Sequence, residues 1–411
     1  MLSRCISVDL GTFQREYWGR GPLLSTSTTL PRDFGDLLSA SAVDELLAER
    51  GVRAPFIRMA RDGALLSRDE FLGPAGVGAE IGDQVDSAKA LAQFADGASI
   101  VLQGLHRLWP PVIDFVRRLV DDLGHPVQAN AYITPPGSQG FDSHHDVHDV
   151  FVLQVAGHKH WTVHEPVVTS PLPTDAWTGH RDAIARRVTE APVIDTDLAP
   201  GDALYLPRGW LHSARTTDET AIHLTIGVPA LTRVDVVRAA VDRVAGAVTD
   251  LRTSLPVGID PTDHDAVAAH ATKALLAFAD EIRDRADEWG SAVADDLAGS
   301  FASRTRPAAV RPLATLDAIA AAGSVGVRWR HGLLGSVVDD PTTGRVRVQL
   351  PDRTISFPGS CAPALRHLRS TEGSGDTAAA TATTLPGLDA ADGTVLIRRL
   401  LRESVVVPAG V

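Results

Sequence analysis

Apolar and polar residues alternate in short runs through the middle of the chain, between residues 127 and 228. Successive side chains of a strand point to opposite faces, so these runs predict strands with one buried face. Gly and Pro separate the runs, as expected for many short strands joined by tight turns. The sequence therefore predicts an antiparallel barrel or double sheet built from VQANAYITP, DVFVLQVAG, KHWTVHEP, DALYLPRG and AIHLTIGV.

Beyond residue 230 the apolar spacing changes to three or four, which indicates amphipathic helices. Thr232 is placed to cap the first of these helices. One stripe consists of Val234, Val237, Val241, Val244 and Val248, and a second of Val267, Ala271, Ala274, Phe278 and Ile282. Packing against the barrel is the default for such stripes. Because long apolar stripes need partners, the sequence also favours a homodimer through residues 234–300.

The remaining regions of the chain contain both helix-like and strand-like patterns. SAVDELLAERG predicts a helix that ends at Gly51, and LWPPVIDFVRRLVDD predicts another. Residues 325–357 return to strand-like runs, residues 370–384 predict a flexible linker or loop, and TVLIRRLLRESVVV predicts a helix that leads into a strand. We therefore predict three domains: a barrel with flanking helices (1–230), a helical dimerisation region (231–303) and a small α+β winged-helix-like domain (304–411).

Length, charge and composition argue against several classes of protein. A chain of 411 residues is too long for one core, and a net charge of −12 argues against non-specific nucleic-acid binding, which depends on a basic surface. Two cysteines cannot form a disulfide framework. The first residues lack the apolar core of a signal peptide, and no apolar run reaches the roughly 20 residues of a membrane span. We expect a cytoplasmic protein without membrane contact.

The segment GSQGFDSHHDVHD is the strongest chemical signal. On an extended strand His144 and Asp146 share a face, and His212 in LPRGWLHSA is the best third partner. Two imidazoles and one carboxylate form a facial triad, which leaves positions open on non-heme Fe(II) for a co-substrate and O2. A lone His-x-Asp pair is usually polar surface, so the prediction depends on the barrel strands beside it.

The neighbouring polar residues have ordinary explanations as well. His148 would lie on the face of His144 and could be a fourth ligand. Contact with the ligands or the substrate is favoured, because a fourth protein ligand would remove an open position on the metal. His145 and Asp149 should point to the opposite face, towards solvent or a local salt bridge. A 2-oxo acid co-substrate would need a buried cation for its distal carboxylate. Lys159 in GHKHW is a candidate, although an exposed turn lysine is at least as common, and Tyr132 could supply a supporting hydroxyl.

These motifs resemble the JmjC-type ribosomal oxygenases, a cupin-like family of protein histidyl and arginyl hydroxylases. The resemblance rests on FQREYWGRGPLL, NAYITPPGSQGFDSHHD, DVFVLQVAGHKHW, PGDALYLPRGWLHSA and IHLTIG, and it is strongest over residues 10–230. It implies a double-stranded β-helix of the jelly-roll or cupin type. By that resemblance His144, Asp146 and His212 match the iron ligands, Lys159 matches the lysine that binds 2-oxoglutarate, and Tyr132 matches the tyrosine beside it.

The resemblance implies an Fe(II)- and 2-oxoglutarate-dependent dioxygenase that hydroxylates a protein side chain, plausibly His or Arg of a ribosomal protein. The same chemistry on a small molecule or non-ribosomal peptide stays open, as does a catalytically silent cupin-like binding module. Two positions depart from the family. Gly227 replaces a serine that helps to hold the co-substrate in many relatives, so Thr225 becomes a candidate donor, and His148 replaces an apolar or aromatic residue.

Overall fold

The computed structural model describes residues 1–61, 63–78, 80–139, 141–372 and 379–410. The chain divides into two compact units, Met1–Ala230 and the residues from Leu231 onward. This observation does not test the predicted boundary at residue 303, so the three-domain division stays a prediction. Among the described residues, no helix is both long and apolar enough to cross a bilayer.

Strands dominate the first unit. They are β1 (Leu23–Ser25), β2 (Ile57–Arg61), β3 (Ala64–Leu65), β4 (Leu72–Gly73), β5 (Gln84–Val85), β6 (Ser99–Leu102), β7 (Gln128–Thr134), β8 (Asp149–Ala156), β9 (Lys159–His164), β10 (Ile194–Leu198), β11 (Ala203–Leu206), β12 (Leu211–Thr216) and β13 (Ala221–Val228). The helices are α1 (Leu10–Thr12), α2 (Ala40–Ala48), α3 (Ser87–Ala95), α4 (Leu105–Leu108), α5 (Pro110–Leu123) and α6 (Arg181–Arg187). Single turns of 3₁₀ or π-helix cover Leu2–Arg4, Phe13–Tyr17, Arg68–Glu70 and Trp177–His180.

Two antiparallel sheets form the barrel, as the resemblance implied. The large sheet has the order β1-β11-β8-β13-β7-β6-β2-β3, and the small sheet has the order β10-β9-β12. The five strand predictions correspond to β7, β8, β9, β11 and β13, whereas β10 and β12 were not among them. A separate two-stranded sheet pairs β4 with β5.

The two faces of the large sheet pack differently, which follows from strand periodicity. Alternate residues on one face join the main apolar core, where α2, α3 and α5 contribute further side chains. Helix α5 begins at Pro110, ends at a left-handed Gly124 and buries Val112, Phe115, Val116 and Leu119. The opposite face contributes to a smaller core with the small sheet, formed by Val150, Val152, Trp161, Val163, Leu198, Leu204 and Leu206.

The second unit begins with helices. These are α7 (Arg233–Ala247), α8 (His264–Asp284) and α9 (Ala286–Thr305), and 3₁₀ turns cover Thr249–Arg252 and Gly359–Cys361. They are followed by α10 (Pro312–Ala320), β14 (Val327–Trp329), β15 (Ser336–Asp340), β16 (Arg345–Gln349), β17 (Thr354–Pro358), α11 (Ala362–Ser370), α12 (Ala390–Arg402) and β18 (Val406–Pro408). Strand β14 pairs with β18, while β15, β16 and β17 form a separate antiparallel sheet.

Three predictions for this unit concern the cap of α7, the first valine stripe and residues 370–384. Thr232 caps α7 by a capping box with Asp235, as predicted. Of the first valine stripe Val244 is buried, but Val237 and Val241 keep 58% and 43% of their surface exposed. The linker prediction for residues 370–384 lies partly outside the described residues. Residues 379–384 form a loop, as predicted, but Ala380 and Ala382 are small enough to be buried in the core of this unit.

Candidate active site

A cavity of about 570 Å³, open to solvent, lies between the two sheets of the barrel. The strands aim alternate side chains into it, so one polar row comes from the large sheet and another from the small sheet. The lining residues are Tyr132, Thr134, Phe141, His144, Asp146, Val150, Val152, Lys159, Trp161, His212, Ser213, Ala214, His223 and Thr225. All six predicted site residues therefore face one space.

A short backbone ladder brings the two histidines together. The N–H of His144 donates to the carbonyl of His212 at 3.1 Å, and the N–H of His212 donates to the carbonyl of His144 at 2.9 Å. The segment before β8 thus extends the small sheet beside β12. One ligand atom each from His144, Asp146 and His212 lies within 4.8 Å of the other two. The structure brings these three residues together, although they are remote in the chain.

Hydrogen bonds fix the tautomers of both imidazoles. Nδ1–H of His144 donates to the carbonyl of Asp142 at 2.7 Å, and Nδ1–H of His212 donates to the carbonyl of Trp210 at 3.1 Å. The unprotonated Nε2 of each ring is then free to coordinate. Nε2 of His212 lies 3.8 Å from a carboxylate oxygen of Asp146. This arrangement suits a divalent ion better than a direct hydrogen bond, which would be shorter.

Electrostatics keep the donor set in its coordinating form. Burial and the adjacent His144 lower the pKa of His212 to about 4, so its imidazole is neutral at physiological pH. Burial alone would raise the pKa of Asp146, but His148, His212 and His144 outweigh burial and lower it. An ionised carboxylate beside imidazole nitrogens is a set of ligands that non-heme Fe(II) accepts.

Lys159 is the buried cation of the cavity. Only 3% of its surface is exposed, and Nζ donates to the hydroxyl of Thr134 at 3.0 Å. No carboxylate pairs with Lys159 in the part of the chain that the structure describes. Burial therefore lowers its pKa to about 7, because no neighbouring charge compensates the lost hydration. An anionic ligand would restore the charged form.

The sequence did not identify two further residues of the cavity, Trp161 and His223. The ring of Tyr132 stacks on His223 with centroids 5.0 Å apart, and Trp161 meets His223 edge-on at 5.5 Å. Burial and the nearby Asp146 raise the pKa of Tyr132, so its hydroxyl stays protonated and can donate. Thr225 lines the cavity on the strand of His223. A signal for Trp161 was available, because it lies two residues after Lys159 on the same strand.

The two departures from the family, His148 and Gly227, lie next to each other. A Cβ atom at Gly227 would lie 3.2 Å from Nε2 of His148 and 3.0 Å from Nε2 of Gln128. These two nitrogens are 3.2 Å apart, within hydrogen-bond distance. The missing side chain at position 227 therefore leaves space for the His148 and Gln128 pair.

His145 was predicted to face solvent or a local salt bridge. It is instead buried, with 1% of its surface exposed. Its Nε2–H donates to the carbonyl of Asp175 at 3.0 Å, which ties the metal-ligand segment to the connection between β9 and β10. In the same connection, the ring of Trp177 lies 6.0 Å from that of His144. The alternation of side chains along an extended segment predicted that His145 points away from His144. It could not show that the connection between β9 and β10 covers His145.

Asp149 is also buried, and the predicted local salt bridge accounts for it. Its carboxylate accepts from the backbone N–H of Arg208 at 2.8 Å and lies 3.5 Å from the Arg208 guanidinium. Burial nevertheless raises the pKa of Asp149. Because Arg208 belongs to the loop before His212, this pair helps to position that loop beside β8.

Comparisons with known proteins agree with this geometry. The sequence model of the JmjC domain matches residues 111–236. The chain is 31% identical over 230 residues to a bifunctional lysine-specific demethylase and histidyl-hydroxylase NO66 from Drosophila persimilis, a match covering 53% of this chain and 30% of that protein. It is 37% identical over 140 residues to human ribosomal oxygenase 1, covering 34% of this chain and 21% of the relative. The chain thus spans less than a third of these curated relatives.

The structural comparison covers more of the chain. The crystal structure of the Escherichia coli ribosomal oxygenase YcfD matches with a TM-score of 0.55 and 19% identity, over 98% of this chain and 99% of YcfD. A structure of YcfD in complex with cobalt and 2-oxoglutarate matches with a TM-score of 0.53 and 18% identity, over 99% of each chain. At these identities the likeness establishes the fold. Together, the comparisons show that the chain contains a JmjC domain at residues 111–236 and has the fold of the YcfD structures.

Proposed function

We propose that this protein is an Fe(II)- and 2-oxoglutarate-dependent oxygenase that hydroxylates a protein side chain. The observation that carries the proposal is the juxtaposition, in one cavity, of the His144–Asp146–His212 cluster and the buried, unpaired Lys159. A divalent ion suits the cluster, and a carboxylate suits the lysine. A 2-oxo dicarboxylate carries both functions, a chelating end and a distal anion, in one molecule.

The chain's own residues have distinct tasks in this proposal. His144, Asp146 and His212 would hold the ion, and Lys159 would hold the distal carboxylate of 2-oxoglutarate, with donors from Tyr132 and Thr225. The chemistry supplied by the bound pair converts R–H, O2 and 2-oxoglutarate into R–OH, succinate and CO2. The apolar walls formed by Val150 and Val152 exclude water from the inner part of the cavity.

The proposed substrate is a His or Arg side chain of a ribosomal protein. Relatives named histidyl-hydroxylase and ribosomal oxygenase support this class of substrate. The net charge of −12 is compatible with a basic protein partner. A cavity that opens to solvent would admit a side chain presented on a polypeptide.

Asp146→Ala tests the catalytic proposal. With Fe(II), 2-oxoglutarate and a ribosomal protein extract, we expect the wild type to form succinate and Asp146→Ala to lose at least about 100-fold of this turnover, because a metal ligand is removed. Asp197→Ala is the matched control, since this exposed carboxylate lies on the outer face of the small sheet beside His160. Unchanged turnover in Asp146→Ala would remove the residue from the metal site.

Mass spectrometry of ribosomal proteins from cells with and without the gene identifies the target. A single added oxygen on one His or Arg that depends on the gene supports the ribosomal substrate. Succinate formation without such a product would favour a small molecule or another peptide. Absence of both metal and 2-oxoglutarate binding would favour a silent cupin-like binding module.

We also propose that the chain forms a homodimer through residues 234–300 and that residues 304–411 form a winged-helix-like module. Val237 and Val241 of α7 and Leu275 and Leu276 of α8 are exposed, and water contact with so many apolar side chains is unfavourable. A second copy with the same stripe would cover them. Sedimentation equilibrium should give twice the chain mass for the wild type, the mass of one chain for Val237→Glu, and no change for Val257→Glu outside the stripe. A monomeric wild type would contradict the dimer.

A further inference from the structure

The three lysines of the chain lie in different environments. Lys89 is exposed and donates to two backbone carbonyls, and Lys273 is exposed on α8. Lys159 lines the cavity with 3% of its surface exposed, and its amine donates to the hydroxyl of Thr134 at 3.0 Å. The buried amine therefore contacts a neutral hydroxyl, where a buried ammonium would need a carboxylate.

Burial without a compensating anion favours the neutral form of the Lys159 amine. An ammonium group that leaves water loses its hydration, and none of the described carboxylates pairs with Lys159 to replace it. The Thr134 hydroxyl accepts a hydrogen bond from either form of the amine, so it does not hold the amine in the charged form. Burial accordingly lowers the pKa of Lys159 to about 7. A neutral amine carries a lone pair and is a nucleophile, whereas an ammonium group is not.

The walls of the cavity suit a small apolar molecule beside this amine. Val150, Val152 and Trp161 line the cavity and belong to the smaller apolar core of the barrel. CO2 is uncharged, so it enters apolar surroundings without the desolvation cost of an ion. Because the cavity opens to solvent, dissolved CO2 can reach Lys159.

Addition of CO2 to a neutral amine gives a carbamate. The lone pair of the nitrogen forms a bond to the carbon of CO2, one C–O π bond breaks, and the nitrogen releases a proton to solvent. The step needs neither an oxidant nor a reductant. The Thr134 hydroxyl accepts from Ser99 at 3.2 Å and from Lys159, so its own proton can be donated to a carbamate oxygen. Tyr132 lines the same cavity and carries a second hydroxyl that can donate.

We propose that Lys159 is a reversible carbamylation site, at which CO2 converts the buried amine into an anion that excludes carboxylate ligands from the cavity. The modification itself requires only the amine and dissolved CO2, whereas its effect on the co-substrate rests on the proposed function. A carbamate places a negative charge where the distal carboxylate of 2-oxoglutarate needs a cation. The proposed reaction releases CO2 inside this cavity, so the product would restrain further turnover when CO2 is abundant.

Carbon-13 NMR of the full-length chain tests the modification. The chain is loaded with diamagnetic Zn(II) and equilibrated with carbon-13 bicarbonate at neutral pH, and a carbamate resonance is sought beside those of bicarbonate and CO2. Alkylation with triethyloxonium traps the carbamate, and peptide mass spectrometry locates it. We expect a carbamate on the peptide that contains Lys159 and none on that peptide in Lys159→Met. Lys273→Met, which removes an exposed lysine, is the control and should keep the modification.

Affinity for the co-substrate gives a second readout. The full-length chain with Fe(II) is titrated anaerobically with 2-oxoglutarate, with and without bicarbonate at constant ionic strength. When about nine-tenths of the chains are modified, the apparent Kd should rise about tenfold, because only the unmodified fraction binds. Lys159→Arg is the matched variant. Its guanidinium keeps the positive charge but stays protonated and cannot add CO2, so its Kd should be the same with and without bicarbonate.

The possible outcomes separate this inference from the proposed function. A wild-type chain that shows no carbamate on Lys159 overturns the inference, while 2-oxoglutarate binding and the proposed function stand. An equal rise of the Kd in Lys159→Arg would mean that bicarbonate competes as a free anion, and it overturns the proposed effect of the carbamate. If Lys159→Arg does not fold, the spectra of the wild type and Lys273→Met decide the question. A wild type that carries the carbamate but binds no 2-oxoglutarate overturns the proposed function and leaves the modification.

Discussion

The interiors of the two units differ in polarity. In the first unit the buried polar side chains include Arg4, Ser99, Thr134, His145, Asp149, Gln154, Lys159, His164, Asp202, His212, Thr216 and His223. In the described part of the second unit they are Thr315 and Thr371 alone. Buried polar groups cost folding free energy unless they are paired, so an interior this polar needs a reason other than stability. Of these residues, Thr134, Lys159, His212 and His223 line the cavity, so part of the higher polarity belongs to the candidate site.

The two faces of the large sheet differ in polarity as well. The outer face of the large sheet packs on an apolar core that α2, α3 and α5 complete. The inner face carries Tyr132, Thr134, His223 and Thr225, which line the cavity together with Lys159 of the small sheet.

Lys159→Met should separate binding from stability most clearly. Loss of the amine should weaken 2-oxoglutarate binding at least about 100-fold, because the distal carboxylate loses the buried lysine that faces it in the cavity. The unliganded protein should become more stable by about 1–4 kcal/mol, because a buried unpaired amine is replaced by an apolar side chain. Anaerobic titration and calorimetry measure the two effects. Lys273→Met, at an exposed position of α8, is the control, and a less stable Lys159→Met protein would contradict the comparison.

The same lysine predicts a pH dependence of the unliganded protein. Burial lowers the pKa of Lys159 to about 7 in the folded state, whereas an unfolded lysine titrates near 10.4. Between these values the unfolded chain binds a proton that the folded chain lacks, so this lysine makes the free energy of unfolding rise with pH. Urea denaturation at several pH values between about 7 and 10 should show this rise in the wild type but not in Lys159→Met. The prediction is wrong if the free energies of unfolding of the two proteins change with pH in the same way.

Gly227→Ala should reveal the packing of His148 and Gln128. The added Cβ would crowd both nitrogens, so we expect a loss of about 1 kcal/mol in unfolding free energy. In a Gly227→Ala/His148→Ala double variant the ring is absent, and the combined loss should fall short of the sum by about 0.5 kcal/mol or more. A double-mutant cycle by chemical denaturation measures the coupling. Additive losses would mean that the two departures from the family are independent.

The smallest effect is expected in the second unit. The hydroxyl of Thr315 is buried without a partner in the described structure, so Thr315→Val should stabilise the protein by up to about 1 kcal/mol. Thr371→Val is the matched control and should destabilise by about 1 kcal/mol, because the Thr371 hydroxyl donates to the carbonyl of Leu368. Neither change should alter 2-oxoglutarate binding. Denaturation and titration of both variants check this pair of outcomes.

The sequence predicted strands that are rich in apolar residues and missed strands that are mostly polar. Strands β7, β8 and β13 carry many buried apolar residues and were predicted, whereas β10 and β12 carry polar residues that resemble a loop. The proximity of His144 and Asp146 was predicted from their spacing on an extended segment, although they lie in the segment before β8 and not within a strand. The buried Nε1 of Trp161 and Nδ1 of His223, which have no partner among the described residues, could not be predicted, because a sequence does not say which polar atoms lack a neighbour.

The ladder between His144 and His212 has a consequence for metal identity. Residues that exchange both backbone hydrogen bonds are held about 5.5 Å apart between their Cα atoms, whether or not an ion is present. The backbone that carries the two candidate ligand nitrogens is therefore held in the same spacing for any ion. We expect that manganese, cobalt, nickel or zinc can replace iron on these ligands, so that the ion found in a purified sample also depends on which metals were available.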